Sequence, residues 1–112
     1  LTAAGLAVLF GAGDYQSPNL RLALQYVGAH MDTGSGSSHF HYTHFYAAQA
    51  LFQQGGSDWE IYFPKIRQEL VHTASIREGR TYWRSGYGEC YATALSLLIL
   101  EIPFRYLPIY ER

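Results

Sequence analysis

Residues 39–59 read HFHYTHFYAAQALFQQGGSDW. Three histidines (His39, His41, His44) and two tyrosines (Tyr42, Tyr46) precede an alanine-rich run that closes on Gly55-Gly56. From Tyr42 to Gln54 the residues are apolar or small almost all the way round a helical wheel, the pattern of a helix buried on every side. The histidines then stand at the mouth of that helix, where imidazoles bond to backbone or water. A second reading makes them ligands: His41 and His44 are neighbours on one face at i and i+3, with His39 reaching in from the loop, a set that zinc or copper would accept. No carboxylate or cysteine lies close in sequence to complete such a shell.

The stretch has counterparts. Gly11-Ala12-Gly13-Asp14-Tyr15 aligns with Gly55-Gly56-Ser57-Asp58-Trp59 at an offset of 44 positions, and Ala3-Ala4 aligns with Ala47-Ala48 at the same offset. Ala92-Thr93 gives a third copy 45 positions beyond Ala47-Ala48, and Pro18-Asn19-Leu20-Arg21 aligns with Pro64-Lys65-Ile66-Arg67 at 46. An ordered set of matches at one period indicates stacked supersecondary units, here about 1–38, 39–86 and 87–112. Each unit reads as two helices. The first helices, near residues 2–10, 42–54 and 89–101, are apolar on all sides. The second ones are amphipathic. Ser17 caps with Pro18 at the first helical position, and Leu20, Leu24 and Val27 form a stripe. In the second unit Phe63 is biased away from helix by Pro64, so the main helix is expected to begin at Pro64, with Ile66 and Leu70 as its stripe. Asp14 and Asp58 are expected in turns past helix ends, accepting backbone N–H groups. The segments 32–38 and 75–88 are long connections, and 103–110 is expected to pack across the end of the last helix pair. Buried inner helices with amphipathic outer ones predict an all-α fold: an α/α toroid fragment of about three helical hairpins, forming a single partial domain.

Composition narrows the function. With 112 residues, 48% hydrophobic and 16% aromatic, the chain has enough apolar content for one folded domain. A formal net charge of −1 and no basic run give no reason to expect nucleic acid. Cys90 is the only cysteine, so no intrachain disulfide forms. No apolar run reaches the length of a bilayer span. The sequence begins at Leu1, which reads as a piece of a longer protein, and the compartment is left open.

Tyr46-Ala47-Ala48-Gln49-Ala50-Leu51-Phe52, then Gly55-Gly56 and Trp59, then Tyr91-Ala92-Thr93-Ala94-Leu95 and Phe104-Arg105-Tyr106-Leu107-Pro108-Ile109-Tyr110 together resemble the C-terminal part of bacterial proteins with prenyltransferase and squalene oxidase repeats. The resemblance covers nearly the whole chain and implies an α/α toroid like that of the terpene and squalene cyclases and of the protein prenyltransferase β subunits. Arg77-Glu78-Gly79-Arg80-Thr81-Tyr82-Trp83 is similar to the cyclases' Gln-x-x-Asp-Gly-x-Trp repeat, matching at Gly79 with Trp83 displaced.

Two functions follow from the resemblance. In the first, the chain is the C-terminal section of a terpene cyclase-like isomerase, whose cavity is lined by Tyr42, His44, Phe45, Tyr46, Tyr87 and Tyr91; aromatic faces steady carbocations. The strong acid that starts such cyclisations would lie upstream, because the Asp-x-Asp-Asp motif is absent and Asp14, Asp32 and Asp58 are far apart. In the second, it is a noncatalytic module that binds a peptide, glycan or lipid on a concave face. Protein prenylation would require zinc on an Asp, a Cys and a His, but Gly88 stands where the carboxylate ligand before Cys90 should be. No cofactor is expected. The implied partners are the remaining toroid repeats and an isoprenoid or other apolar ligand, with self-association through the exposed flanks.

Overall fold

The computed structural model describes residues 1–32 and 34–106. It begins with α1 (Thr2–Gly11), a helix without a charged residue, which buries Ala3, Leu6 and Phe10. Gly13, at φ +82°, lets the chain reverse. Asp14 then shapes the turn: its Oδ1 accepts from the backbone N–H of Gln16 at 3.2 Å and of Ser17 at 3.0 Å. Ser17 in turn accepts from Leu20 N at 3.2 Å and caps α2 (Pro18–His30), with Pro18 in the first turn as the sequence predicts. Leu20 and Val27 are buried and Leu24 packs beside them.

The central element is α3 (Phe40–Gln54), which packs against α1, α4 and α5. Ala47, Ala48 and Ala50 are fully buried along it. Their short side chains let neighbours approach closely on more than one flank. Ala47 and Ala50 join Leu6, Phe10 and Leu20 in one core cluster, while Ala48 and Leu51 join Ile66, Leu70, Trp83, Ala92 and Ile99 in another. One helix therefore divides and supports both halves of the interior. It ends at Gly55, whose N–H donates to Leu51 O at 2.9 Å and whose φ of +71° suits a residue without a side chain.

The next helix departs from the sequence expectation. α4 runs from Gly56 to Thr73 and continues through Pro64 rather than starting there. Pro64 lies on the exposed face, where its missing N–H is least costly, and the buried stripe Tyr62, Ile66, Leu70 carries on across it. Asp58 accordingly sits in the first turn of α4, where a carboxylate opposes the positive end of the helix, and not in a turn beyond a helix end.

The all-α expectation also needs correction. The connection after α4 contains an antiparallel hairpin, β1 (Ser75–Arg77) and β2 (Arg80–Tyr82), with Ser75 opposite Tyr82 and Arg77 opposite Arg80. Glu78 and Gly79 turn it, both at positive φ, the backbone that a two-residue hairpin turn requires. Trp83 follows directly and is anchored twice: its Nε1 donates to Leu70 O at 2.7 Å, and its backbone N donates to Thr93 Oγ1 at 3.0 Å. α5 (Glu89–Glu101) packs on α3 and β2 and passes into a 3-10 turn at Ile102–Phe104. The fold is thus mostly helical with one small two-stranded sheet. Two helical hairpins and a fifth helix are present among the described residues, and the third unit closes in a 3-10 turn at the start of the proline-bounded segment. Residues 107–110, expected to pack over the last helices, lie outside the described residues.

Burial covers most of α3, where eight residues are buried although Tyr42 is exposed, and much less of its flanking helices. α1 buries Ala3, Leu6 and Phe10 while Val8 is 69% exposed; α5 buries Ala92, Ser96 and Ile99 while Leu97 is 46% exposed. Each flanking helix meets α3 along one side only, so its opposite apolar side is left without a described neighbour.

Candidate aromatic surface

Residues distant in sequence meet at the N-terminal ends of α3 and α5. Tyr42 and Tyr46 lie one helical turn apart, so their rings pack edge to face at 5.0 Å. Tyr87, just ahead of α5, and Tyr91 in its first turn are 5.6 Å apart. The hydroxyl of Tyr91 is pushed above the usual tyrosine range by burial first and then by the nearby Tyr87, Tyr42 and Tyr46, so those three phenols lie within electrostatic reach of Tyr91. His39 stacks on Tyr87 at 6.0 Å and bonds its hydroxyl through Nδ1 at 3.3 Å. His41 meets Tyr91 edge-on at 6.4 Å. Tyr42 and Tyr87 are exposed while Tyr46 and Tyr91 are half-buried, so the group forms an accessible aromatic surface with fixed flanks.

The remaining candidates separate from it. Phe45 packs its ring against Tyr46 at 5.2 Å but belongs to the margin of the α3–α4–α5 core. His44, only 1% exposed, is part of the interior. Its Nε2 lies 3.0 Å from Asp32 O and its Nδ1 3.0 Å from the Tyr62 hydroxyl. A carbonyl only accepts, so Nε2 carries the proton and Nδ1 accepts from Tyr62. Burial holds the His44 imidazole below its usual value, with the Asp32 carbonyl opposing. Both nitrogens are committed, and His44 is a tie between α3, α4 and the loop ahead of α3. Tyr62, its partner, carries no motif; its place at i−4 from Ile66 on the α4 stripe was the available signal. His41 is also buried, with Nε2 lacking a hydrogen-bond partner among the described residues. Cys90 is exposed. No three His, Cys, Asp or Glu side chains among the described residues are grouped to hold a metal ion.

The aspartates are used elsewhere. Asp14 shapes the α1–α2 turn, Asp32 accepts from Gly34 N at 2.8 Å, and Asp58 meets Gln54 Nε2 at 3.4 Å. A surface network that sequence reasoning did not find joins Arg77 to Glu89 at 3.1 Å and to the Tyr82 hydroxyl at 3.1 Å, with Arg84 on the same hydroxyl at 2.7 Å. It fastens the hairpin to the start of α5 and so fixes where Tyr91 stands. Among the described residues no helix is long and apolar enough to cross a membrane. In comparisons with known proteins, no family model, curated protein or solved structure matches this chain.

Proposed function

We propose that this chain is a ligand-binding section of an α/α-toroid protein, with α1, α3 and α5 as inner helices, α2 and α4 outside them, and an apolar, isoprenoid-like ligand held against Tyr42, Tyr46, Tyr87 and Tyr91. The carrying observation is that two sequence-distant helix starts each present a tyrosine pair, with Tyr42 and Tyr46 within electrostatic reach of Tyr91 and with His39 and His41 of α3's entrance against Tyr87 and Tyr91. The packing of α3 between α1 and α5, with α2 on α1 and α4 on α3, supports the toroid reading. Aromatic faces offer large apolar area at low entropic cost, and a hydroxyl rim to orient a polar head. Binding is favoured over proton-initiated cyclisation because Asp14, Asp32 and Asp58 have the local partners described above, and any such acid would come from residues outside this chain.

Farnesol titration followed by intrinsic fluorescence tests the reading. Saturable binding is expected, with Tyr91→Ala and Tyr42→Ala each weakening it by about tenfold, the size of one lost aromatic contact of about 1.4 kcal/mol. Tyr26→Ala, on α2, should leave it unchanged. Absence of binding, or equal losses for all three variants, removes this function.

A further inference from the structure

Behind the aromatic surface lies a second feature that this function does not use. A cavity of about 460 Å³ opens where the loop before α3 faces the hairpin, with Ser37, Ser38, His41, Thr73, Arg84 and Ser85 among its lining residues and no carboxylate in that lining. Three independent properties of this cavity agree. First, it adjoins the N-terminus of α3, a 15-residue helix without a side-chain cap: His39 N and Phe40 N donate to Ser37 and Thr43 N donates to His39 O, which leaves the N–H groups of His41 and Tyr42 at the positive end of the helix. Second, His41 is 7% exposed and its Nε2 has no hydrogen-bond partner among the described residues, an arrangement that burial penalises. Third, Arg84 brings a permanent cation: its Nη2 donates to Tyr82, and a guanidinium carries five N–H donors in all. Thr73 and Ser85 give their hydroxyl protons to backbone carbonyls, so the donors left to a ligand are the Ser37 and Ser38 hydroxyls, the imidazole, the guanidinium and the helix N-terminus. Such a lining repels a cation and suits an oxyanion.

We infer that this cavity binds a phosphate group, with His41 Nε2 as its buried donor, Arg84 as its cation and the start of α3 as its anion seat. The cavity is larger than a phosphate alone needs, and the serine and threonine hydroxyls in its wall suit the polar remainder of a small phosphomonoester. The site is independent of the tyrosine surface, so failure of farnesol binding leaves it standing.

Calorimetric titration with inorganic phosphate and with glycerol phosphate, paired with NMR of the His41 ring, tests the assignment. The expected result is saturable binding that shifts the His41 Nε2 resonance. Tighter binding of glycerol phosphate identifies an ester as the ligand, and equal binding identifies the free ion. Because His41→Ala removes a buried side chain, the exposed Arg84→Gln is the companion variant, and each should weaken binding by about tenfold or more, the loss expected for one charge-assisted hydrogen bond. Arg21→Gln, which makes the same charge change on α2, should bind as the wild type does. Three results would each overturn the assignment: no saturable binding by the wild type, an unmoved His41 resonance, or an Arg21→Gln loss equal to that of Arg84→Gln.

Discussion

His44 illustrates how one residue fixes the path of a loop. Its ring accepts from Tyr62 and donates to the Asp32 carbonyl, so removing it leaves the buried Tyr62 hydroxyl with only the long 3.4 Å bond to the His44 backbone carbonyl. His44→Ala combines that loss with an internal void and is expected to cost about 2–4 kcal/mol in urea denaturation, whereas Tyr62→Phe removes one hydrogen bond and should cost about 1–2 kcal/mol. The pH dependence has a definite sign. Burial lowers the His44 imidazole from its ordinary 6.5, and His41 shifts the same way by the same cause. The unfolded chain therefore takes up protons first as pH falls; stability is complete above that unfolded value and declines as pH drops through it. Denaturation midpoints should fall between about pH 7 and pH 5, and His44→Gln should flatten the decline. A rise in stability over that interval would contradict the buried, neutral imidazole. Neither role was legible in the string HFHYTH, because spacing shows that histidines share a helical face but not whether that face meets solvent, a tyrosine or an empty space.

Among the elements, α4 is where local preference and tertiary packing disagree. Proline removes an N–H and crowds the preceding turn, which argues for a helix start at Pro64, yet Tyr62 and Trp59 lie before it and pack into the core. Burial of that first half outweighs the local penalty. Since Pro64 is exposed, Pro64→Ala should restore the backbone bond without opening a cavity and stabilise the protein by about 1–3 kcal/mol, measured by thermal unfolding. A loss of stability would mean that α4 needs its interruption. Both ends of α1, α3 and α5 and the start of α2 were read within a residue or two, because a serine–proline start, glycine stops and apolar runs each act locally. The hairpin escaped notice because its strands are three residues long and largely exposed, so they show no alternation, and Glu78-Gly79 is not one of the commonest turn pairs. It is held by Trp83 and by the Arg77–Glu89 pair, contacts that only the folded chain brings together.

At the scale of the molecule, the repeat period placed α1, α3 and α5 as equivalent first helices, and their mutual packing through α3 follows that order. Part of the geometry was legible: Tyr42, Tyr46, Tyr87 and Tyr91 were selected for their places at helix starts, and the first three lie within electrostatic reach of Tyr91. His44, named with that group, lies buried on Tyr62 and Asp32 instead, and a polar residue at a helix mouth looks alike in sequence whether it faces a cavity or the core. The outer sides of α1 and α5 leave Val8 and Leu97 exposed, and we propose that another copy of the chain covers them. Sedimentation should show concentration-dependent association, reduced by Leu97→Glu and by Val8→Glu; a strictly monomeric wild type at all concentrations would refute it. The alanines of α3 carry a further consequence for the way this protein breathes. A central rod closed in by its neighbours shields its amides until those neighbours lift, whereas α1 and α5 each have a free side and can detach singly. Opening therefore has an order, from the margins inward, and the rod that carries Tyr42 keeps its shape after the partner that carries Tyr91 has swung away.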